Sequence, residues 1–428
     1  MAKTIIVAAP HSGSGKTLVT LGLLRALRNR GTKVASFKVG PDYIDPQFHA
    51  AASGRECINL DLWAMGRDHC AWLLDTHTKD AEIAIIEGVM GLFDGPEGAP
   101  GSTADLAATL DLPVLLVIDA AHQAQSVAAL VEGFQKFRKD VEIAGLFLNR
   151  VKSDRHATLL HEALRPSGIP VIGQMRQVDS LSLPSRHLGL VQAIENQSLE
   201  KTLESAASGV ARETKLDTIF SIAGNGANHL LDGHFSLPPL AQSIAIARDE
   251  AFSFAYPHVL AGWRVKGADL TFFSPLADDA PDPSAAAIYL PGGYPELHAG
   301  KLASNTRFMN GLRNFSGLIY GECGGYMALG ESLTDDSGKT HAMAGLLPLE
   351  TSFKDRKLHL GYRQLSPLSA LWPCKLRGHE FHYATIIREG DGDRIFGAAT
   401  ANGTSLPEMG LRRGKVMGSF AHVISVAP

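Results

Sequence analysis

A run of aliphatic residues, a glycine-rich loop and a helical pattern follow one another at the start of the chain. Residues 5–8 are aliphatic, residues 10–17 read Pro-His-Ser-Gly-Ser-Gly-Lys-Thr, and residues 16–30 have the apolar spacing of a helix. In such a strand–loop–helix unit the backbone N–H groups of the loop and of the helix N-terminus point at an anion. The order of elements therefore predicts a phosphate-binding loop, even though Pro10 replaces the first glycine of the usual motif.

The remaining motif residues have defined chemical tasks in a loop of this type. Lys16 would reach the β- and γ-phosphates of a nucleotide, and the Thr17 hydroxyl would bind Mg²⁺. A Gly-Lys-Thr that precedes a helix by chance is the alternative, and the strand before the loop argues against it. The predicted nucleotide ligands are Gly13, Gly15, Lys16 and Thr17.

Two acidic segments follow the next predicted strands. Residues 38–45 read Lys-Val-Gly-Pro-Asp-Tyr-Ile-Asp, and residues 87–94 read Glu-Gly-Val-Met-Gly-Leu-Phe-Asp. Since open α/β sheets bind ligands at the carboxyl ends of their strands, Asp42 and Glu87 are candidates for the Mg²⁺ shell, directly or through water. Three further residues are assigned to the substrate or phosphate region: Lys38, Asp45 and Asp94. The two aspartates of that set could instead cap a turn or a helix.

Strand-like and helix-like patterns alternate through the first half of the chain, and further strand patterns follow in the second. This βαβα rhythm, with nearly continuous aliphatic strands, predicts an α/β fold with open parallel sheets covered on both faces. The predicted strands are residues 4–8, 33–38, 83–87, 113–118, 143–149 and 170–173, then 243–247, 269–273, 287–290 and 318–320. Antiparallel elements are expected near the end of the chain.

The length of 428 residues is too great for one ordinary core, so we expect two domains. The segment 200–241 contains clusters of Ser, Gly, Asn and Pro, which mark a break between them. The predicted division is an ATP-binding domain at 1–199, a domain tail and linker at 200–241, and a second α/β domain at 242–428.

The composition of the chain argues against several classes of protein. The net charge of −4, without a long basic run, argues against nucleic acid as a main partner. Four scattered cysteines without metal-ligand spacing argue against a disulfide scaffold and for a reducing compartment. Nothing approaches the roughly 20 apolar residues of a membrane span, and residues 1–9 lack a signal-peptide pattern. We therefore expect a cytoplasmic protein that binds neither membrane nor nucleic acid.

Residues 317–330 combine a strand, a Gly-x-Cys-x-Gly turn and the start of an apolar helix. Small residues on both sides of Cys323 are typical of a nucleophile elbow, a sharp turn that strains the backbone of the nucleophile. The helix N-terminus that follows is expected to lower the pKa of the thiol and to supply N–H donors for an oxyanion. A buried structural cysteine is the alternative, but such a cysteine has no need of flanking glycines.

A thiol nucleophile needs a base, and three histidines are candidates. His379 and His382 lie in Gly-His-Glu-Phe-His-Tyr, and His422 lies in Gly-Ser-Phe-Ala-His. Residue order alone does not choose among them, and each could be a structural histidine. The acid that would orient the base is also open, because no Asp or Glu lies between His422 and Pro428.

Eight blocks of the sequence, taken together, point to one family. They are residues 9–17, 38–46, 87–95, 186–190, 248–254, 290–297, 321–325 and 378–383. With these blocks the chain closely resembles the cobyrinic acid a,c-diamide synthase family, including its hydrogenobyrinic acid branch. The resemblance covers essentially the whole length, and the combination is far more specific than the phosphate loop alone.

The resemblance implies a dethiobiotin-synthetase-like P-loop domain followed by a class I glutamine amidotransferase domain. It implies ATP and Mg²⁺ as cofactors and L-glutamine as the ammonia donor. The acceptor would be a corrin, hydrogenobyrinate or cobyrinate, whose a and c acetate groups are amidated through acyl phosphates. By the same resemblance Cys323 would be the nucleophile, His422 its base, and Gly324 with Gly293 the oxyanion donors. The block 378–383 would help to shape the glutamine site or the domain contact.

Two alternatives stay open at this point. One is an amidotransferase of the same type that acts on another tetrapyrrole carboxylate. The other is a P-loop switch ATPase with an inactive amidotransferase domain, although residues 8–12 lack the extra lysine of such ATPases and Cys323 keeps its glycines. The ending at residues 418–422 favours the metal-free corrin, and the sequence leaves the oligomeric state open, with a homodimer as one alternative.

Overall fold

The aliphatic strands of the first half of the chain form a single sheet in the computed structural model. The structure describes residues 2–177, 192–225 and 236–428, and the backbone of residues 185–186 and 189–190. Its contacts divide the chain into two units, Met1–Gly233 and His234–Pro428. Each unit has its own sheets and its own buried apolar residues.

The first unit alternates strands and helices along the chain. Its strands are β1 Lys3–Ala8, β2 Val34–Val39, β3 Cys57–Leu60, β4 Ile83–Glu87, β5 Val114–Asp119, β6 Ile143–Val151, β7 Val171–Arg176, β8 Ser185–Arg186, β9 Gly189–Leu190 and β10 Gly224–Asn225. Its helices are α1 Lys16–Asn29, α2 Asp45–Ser53, α3 Leu62–Thr78, α4 Thr103–Leu110, α5 Val127–Phe137, α6 Asp154–Leu164, α7 Leu199–Arg212 and α8 Leu216–Ile222.

The main sheet of this unit has the order β3-β2-β4-β1-β5-β6-β7, and every pair along it is parallel. The short β10 is added to β1 in the antiparallel direction. The predicted parallel sheet is thus confirmed. Because β2, β4 and β1 are neighbours, the loops that follow their carboxyl ends meet at one edge.

One strand of this sheet, β3, is absent from the prediction. It is only four residues long, and Asn59 interrupts its aliphatic pattern. The buried Asn59 side chain donates to the carbonyl oxygens of Gly40 and Asp42, at 2.9 and 2.8 Å. The amide therefore ties β3 to the loop after β2, and the strand at Ile83–Glu87 becomes the fourth rather than the third of the chain.

The segment after residue 199 contains two helices where the sequence pattern was weak. α7 packs on α1, and a Cβ on Gly22 of α1 would lie 2.8 Å from the carbonyl oxygen of Ala206, so the two backbones approach closely. The buried stripe of α7 has the spacing of a helix, and two of its four residues are alanines. Its buried residues are Leu203, Ala206, Ala207 and Val210. Residues 226–235 of the predicted linker and the side chains of block 186–190 lie outside the described residues.

The second unit is richer in strands. Its strands are β11 Ser243–Ala247, β12 Asp269–Phe273, β13 Ala287–Leu290, β14 Leu318–Glu322, β15 Ser332–Thr334, β16 Thr340–Ala342, β17 Leu349–Ser352, β18 His359–Pro367, β19 Leu376–His382, β20 Thr385–Glu389, β21 Phe396–Ala399, β22 Ser405–Met409, β23 Leu411–Arg413, β24 Val416–Ser419 and β25 Ala421–Val426. Its helices are α9 Pro257–Val265, α10 Ala299–Ser304, α11 Thr306–Arg313 and α12 Gly324–Leu329. Among the helices described in both units, none combines the length and apolar character of a membrane span.

Three sheets organise this unit. A six-stranded sheet, β12-β11-β13-β14-β24-β23, is parallel except at β23. A five-stranded antiparallel sheet, β22-β21-β18-β19-β25, and a four-stranded sheet, β16-β15-β17-β20, follow. The prediction of parallel strands first and antiparallel elements later is confirmed. Since β14 and β24 are parallel neighbours, the turn after β14 and the link from β24 to β25 lie at the same end of the sheet.

Candidate functional site

The loop after β1 has the backbone that its glycines predict. Gly13 and Gly15 both have a φ of 84°, in the left-handed region. A Cβ on Gly15 would lie 2.0 Å from Nδ2 of Asn149, which donates to the carbonyl oxygen of Ser14 at 2.9 Å. α1 begins at Lys16 directly after the loop, so the loop runs straight into the helix N-terminus, the arrangement that favours anion binding.

The carboxylate of Glu87, at the end of β4, is the centre of the polar contacts beside this loop. The Thr17 hydroxyl donates to Oε1 at 2.7 Å, and Nζ of Lys38 donates to the same oxygen at 3.1 Å. Nε2 of His49 lies 2.5 Å from Oε2, and Nζ of Lys16 lies 3.9 Å from Oε1. Burial raises the pKa of Glu87, but the charges of Lys38, His49 and Lys16 outweigh burial and hold that pKa below its usual range. Glu87 is therefore a buried carboxylate next to the Thr17 hydroxyl.

Lys38 joins Glu87 to the first acidic segment, where its Nζ donates to Oδ2 of Asp45 at 2.6 Å. Burial lowers the pKa of Lys38, while the carboxylates of Asp45, Glu87 and Asp42 raise it by more, so the ammonium stays charged. Oδ1 of Asp42 accepts two backbone N–H groups at the start of α2, and burial, with Asp45 second, raises the pKa of Asp42 to about 6. The exposed Asp94 accepts a backbone N–H in the turn after β4 at 2.9 Å. The geometry of a cap is thus seen at Asp42 and Asp94, whereas Asp45 is paired with Lys38.

His49 belongs to this cluster although the sequence did not single it out. It lies on α2, four residues after Asp45, and its Nδ1 is 3.5 Å from Sγ of Cys57 on β3. Burial lowers the pKa of His49, but Glu87 and Cys57 raise it to about 10. The spacing of four residues, which puts Asp45 and His49 on one face of a helix, is the only signal in the sequence that could have found it.

Cys323 has the strained backbone of a nucleophile elbow between β14 and α12. Its φ of 47° and ψ of −102° are unusual for a residue with a side chain. A Cβ on Gly321 would lie 2.7 Å from the carbonyl carbon of Gly325, and one on Gly325 would lie 1.9 Å from the carbonyl oxygen of Leu290. Both glycines are therefore required by close backbone approach. The N–H of Cys323 donates to the carbonyl oxygen of Ser419 at 2.8 Å, which ties the turn to β24.

The expectation of a lowered pKa for the Cys323 thiol is wrong. The Cys323 side chain is 4% exposed, and burial raises its pKa well above the usual range of a thiol. Glu296 raises the pKa further, and the hydrogen bond with the N–H of Gly324 lowers it by less. The short α12 does not compensate for the loss of water. Formation of the thiolate therefore needs a base close by.

One of the three candidate histidines lies at the Gly-Gly turn beside the elbow. A Cβ on Gly292 would lie 2.3 Å from Cε1 of His422, and one on Gly324 would lie 3.0 Å from the backbone nitrogen of Gly293. Burial, followed by two neighbouring histidines, lowers the pKa of His422 to about 3. Its imidazole is therefore neutral and can accept a proton. Gly293, Gly324 and His422, all named from the sequence, thus lie around one turn.

His379 and His382 have different surroundings from His422. His379 is the partner of His422 across β19 and β25, and burial lowers its pKa to about 4. Nε2 of His382 lies 2.9 Å from Oε1 of Glu380, and its ring is stacked on Phe420 with centroids 3.9 Å apart. Because Phe420 lies two residues before His422, His382 packs against the segment that carries this histidine.

The set His359, Glu380 and His382 has the composition of a metal site but not its geometry. One ligand atom from each lies within 4.8 Å of the others. The rings of His359 and His382 are stacked with an angle of 6° between their planes, so their lone pairs cannot converge on one ion. Glu380 also accepts from the guanidinium of Arg363 at 2.7 Å. The three residues form a stack and an ion pair that support the loop around Phe420.

Two family matches together cover most of the chain. Residues 5–191 match the CobQ/CobB/MinD/ParA nucleotide binding domain, and residues 243–427 match the CobB/CobQ-like glutamine amidotransferase domain. Over 430 residues, 99% of this chain and 98% of the relative, the chain is 54% identical to hydrogenobyrinate a,c-diamide synthase of Brucella anthropi. The proteins of that name from a Sinorhizobium species and from Rhodobacter capsulatus are 51% and 49% identical, with 99% of each chain covered.

The chain belongs to the hydrogenobyrinate a,c-diamide synthase family. Membership of this family confirms the resemblance found in the sequence. The chain is a glutamine-hydrolysing amide ligase with a nucleotide-binding P-loop domain followed by a glutamine amidotransferase domain, as the fold class predicted. Full-length relatives of this kind do not support the alternative of a switch ATPase with an inactive second domain.

Proposed function

We propose that the chain amidates the a and c acetate carboxylates of hydrogenobyrinic acid in cobalamin biosynthesis, with nitrogen from glutamine and activation by ATP. The observation that carries the proposal is identity of 49% or more to enzymes named for this reaction, over the full length. The phosphate loop and the cysteine elbow supply the two kinds of chemistry that the reaction needs. We place the reaction in the cytoplasm, because all four cysteines are free.

Glutamine hydrolysis is assigned to the second unit. His422 takes the thiol proton of Cys323 as the sulfur attacks the side-chain amide carbon of glutamine and forms a C–S bond. The N–H groups of Gly324 and Gly293 stabilise the negative oxygen of the tetrahedral intermediate. The C–N bond then breaks, and the nitrogen leaves as ammonia with the proton from His422. A water molecule, deprotonated by His422, attacks the thioester carbon. The C–S bond breaks, glutamate forms, and the proton passes from His422 to the sulfur of Cys323.

Carboxylate activation is assigned to the first unit. An oxygen of the corrin acetate attacks the γ-phosphorus of ATP, ADP leaves, and an acyl phosphate forms. Ammonia then attacks the acyl carbon, phosphate leaves, and the nitrogen loses one proton to give the amide. Lys16 and the N–H groups of residues 13–17 act by position and charge, which is the main means of catalysis in phosphoryl transfer. Two such rounds convert the a and c groups.

Mg²⁺ fits the oxygen donors beside the phosphate loop. The Thr17 hydroxyl and the Glu87 carboxylate are 2.7 Å apart, and Mg²⁺ prefers oxygen ligands of this kind. We assign Asp42 as a further ligand, directly or through water. The negative charges of Asp42 and Glu87 both raise the pKa values of Lys16 and Lys38, so the two carboxylates lie near the same ammonium groups. When bound, Mg²⁺ neutralises phosphate charge. Lys38, which Asp45 and Glu87 hold in its charged form, is assigned to the phosphate that is transferred.

A product assay tests the assigned acceptor. The purified chain is incubated with glutamine, ATP and Mg²⁺, with hydrogenobyrinic acid in one reaction and cobyrinic acid in a parallel one, and products are read by mass. We expect two successive amide additions to hydrogenobyrinic acid. Amidation of cobyrinic acid alone would assign the cobalt-containing corrin instead. Hydrolysis of glutamine and ATP without amidation of either corrin would overturn the proposal.

A further inference from the structure

The carboxylate of Glu322 lies beside His422. Its Oε2 is 3.8 Å from Nδ1 of His422, and both side chains are almost fully buried. Glu322 is the last residue of β14 and directly precedes Cys323. An acid at this place comes from the strand that leads into the nucleophile turn, and not from the strand of the histidine. Glu322 is therefore a candidate for the acid that orients His422, which the sequence after His422 does not supply.

Three donors hold this carboxylate in place. The Tyr289 hydroxyl donates to Oε2 at 2.8 Å, and the Tyr320 hydroxyl donates to Oε1 at 3.2 Å. The N–H of Val423 donates to Oε1 at 3.1 Å. Because Val423 directly follows His422, the Glu322 carboxylate is tied to the backbone that carries the histidine. These three donors are neutral, so none of them cancels the charge that the carboxylate carries when it is ionised.

We propose that Glu322 is the positioning residue of His422, accepting a hydrogen bond from Nδ1–H and so keeping Nε2 as the basic nitrogen. The inference rests on the proposed function, in which Cys323 and His422 hydrolyse glutamine. The thiol proton moves to Nε2 as the C–S bond forms and leaves with ammonia as the C–N bond breaks. The proton on Nδ1 stays where it is, and Glu322 exchanges none.

The gain from this arrangement is electrostatic. A carboxylate next to Nδ1 selects the productive tautomer and stabilises the imidazolium that forms transiently. The 3.8 Å separation is longer than a hydrogen bond, and catalytic hydrogen bonds of this kind tighten in the complex with substrate and in the transition state. We expect the separation to shorten when His422 takes up the thiol proton.

Glu380 is the other carboxylate near His422, and it is engaged elsewhere. Its Oε2 accepts from Nε of Arg363 at 2.8 Å, and its Oε1 lies 2.9 Å from Nε2 of His382. A guanidinium and a second imidazole thus share its charge. The Glu380 carboxylate does raise the pKa of His422, but its charge is shared with these two groups, whereas an oxygen of Glu322 lies 3.8 Å from Nδ1 of His422.

The pair predicts how glutamine hydrolysis depends on pH. Burial raises the pKa of Glu322 to about 7, against the hydrogen bonds from Tyr289, Val423 and Tyr320. The titratable groups that face the pair are Tyr256 before α9, Tyr289 on β13, Tyr320 on β14, Cys323 after it, and His379, Glu380 and His382 on β19. As the pH falls through about 7, Glu322 takes up a proton and no longer stabilises the imidazolium. Hydrolysis therefore falls on the acid side.

The test compares Glu322→Gln and Glu322→Asp with wild type and with Glu389→Gln. Glu389 is a matched control, because it too accepts a tyrosine hydroxyl, that of Tyr326 at 2.9 Å, and it is paired with Arg394. The glutaminase kcat, the KM for glutamine and the pH profile are measured on the full chain. Ammonia-dependent synthesis on the same preparations reports whether each variant is folded and active in the first unit.

We expect Glu322→Gln to lower the glutaminase kcat about 100-fold, with little change in KM and no acid limb near pH 7. Glu322→Asp should recover part of the glutaminase kcat and the fall in activity near pH 7. Glu389→Gln should keep the wild-type kcat and the wild-type pH profile. A wild-type kcat and an unchanged acid limb in Glu322→Gln would overturn the inference. If Glu322→Gln loses ammonia-dependent synthesis as well, the test passes to Glu322→Asp. Absence of the fall in glutaminase activity below about pH 7 in Glu322→Asp would then contradict the positioning role of Glu322. Failure of the proposed function is distinct, since Cys323→Ala would then keep its glutaminase activity.

Discussion

The hydroxyl of Thr17 donates to the carboxylate of Glu87 at 2.7 Å, although 70 residues separate them in the chain. The same carboxylate is paired with Lys38 and His49 and lies near Lys16. The phosphate loop and both acidic segments thus form one buried network of charges. A change at any member alters the charge that the others present to a phosphate.

Replacement of Lys16 by Met should stop amide synthesis while some glutamine hydrolysis continues. Lys16 is the loop cation assigned to the β- and γ-phosphates, and loss of one such group lowers kcat by roughly 100-fold or more. The measurement is product formation and glutamate release on one sample. Lys136→Met is the control, since Lys136 is an exposed partner of Glu132 on α5. Equal loss of both activities in Lys16→Met would contradict the assignment of the two reactions to separate centres.

Replacement of His49 by Gln should destabilise the first unit in a pH-dependent way. The folded pKa of about 10 lies above the ordinary value of 6.5, so the stabilisation is fully present below pH 6.5 and is lost as the pH rises through 10. Removing one partner of a buried ion pair lowers the free energy of unfolding by about 3 kcal/mol. Here the buried negative charge of Glu87 would be less well balanced without the imidazolium of His49. Thermal unfolding between pH 6 and 10 measures the difference from wild type.

A matched control is His161→Gln, because His161 makes an exposed contact with Gln174 at 3.3 Å. It should unfold like wild type at every pH. A stability difference for His49→Gln that grows toward pH 10, or one that does not change with pH, would show that His49 is not held as an imidazolium by Glu87.

Replacement of Gly292 by Ala should impair glutamine hydrolysis through the position of His422. The added Cβ would lie 2.3 Å from Cε1 of His422, so the ring or the turn must move. A displacement on the order of 1 Å at a catalytic group can lower the rate about 100-fold. Gly133→Ala on α5 is the control, because a Cβ there meets nothing within 4 Å and should stabilise the helix by about 0.5–1 kcal/mol. Wild-type glutaminase kinetics in Gly292→Ala would exclude close packing of His422 on this turn.

Local patterns were sufficient for most of the fold. β11, β12 and β13 have the predicted ends, and each is a short run rich in aliphatic or aromatic residues. β3 was hidden because its fit depends on distant partners, whereas α7 was missed although its buried residues have helical spacing. Asn59 is buried in β3 by hydrogen bonds to the loop after β2, and the small residues of α7 make sense only against α1.

The site was predictable where a motif fixes the backbone and unpredictable where charges meet across strands. The glycines near Lys16 and Cys323 predict a phosphate loop and a nucleophile elbow. At the positions where neighbouring atoms approach the backbone closely, only a residue without a Cβ fits. By contrast, the positions of His49 and Glu322 follow from the order of strands in the sheets, which one sequence does not reveal. The direction in which the pKa of the Cys323 thiol shifts was also visible only in the structure. Burial raises that pKa by more than the helix N-terminus lowers it.

The measurement that tests the account most directly is the source of nitrogen in the product. Wild type and Cys323→Ala are supplied with ATP, Mg²⁺, hydrogenobyrinic acid, glutamine labelled with ¹⁵N in its side-chain amide, and excess unlabelled ammonium, and the corrin is read by mass. Cys374→Ala serves as the control, because Cys374 is a free, partly exposed cysteine in the segment between β18 and β19. We predict ¹⁵N in the amides made by wild type and Cys374→Ala, and unlabelled amides from Cys323→Ala. Labelled amides from Cys323→Ala, or loss of synthesis from ammonium as well, would contradict a nucleophile at Cys323 that feeds a separate ATP-dependent site.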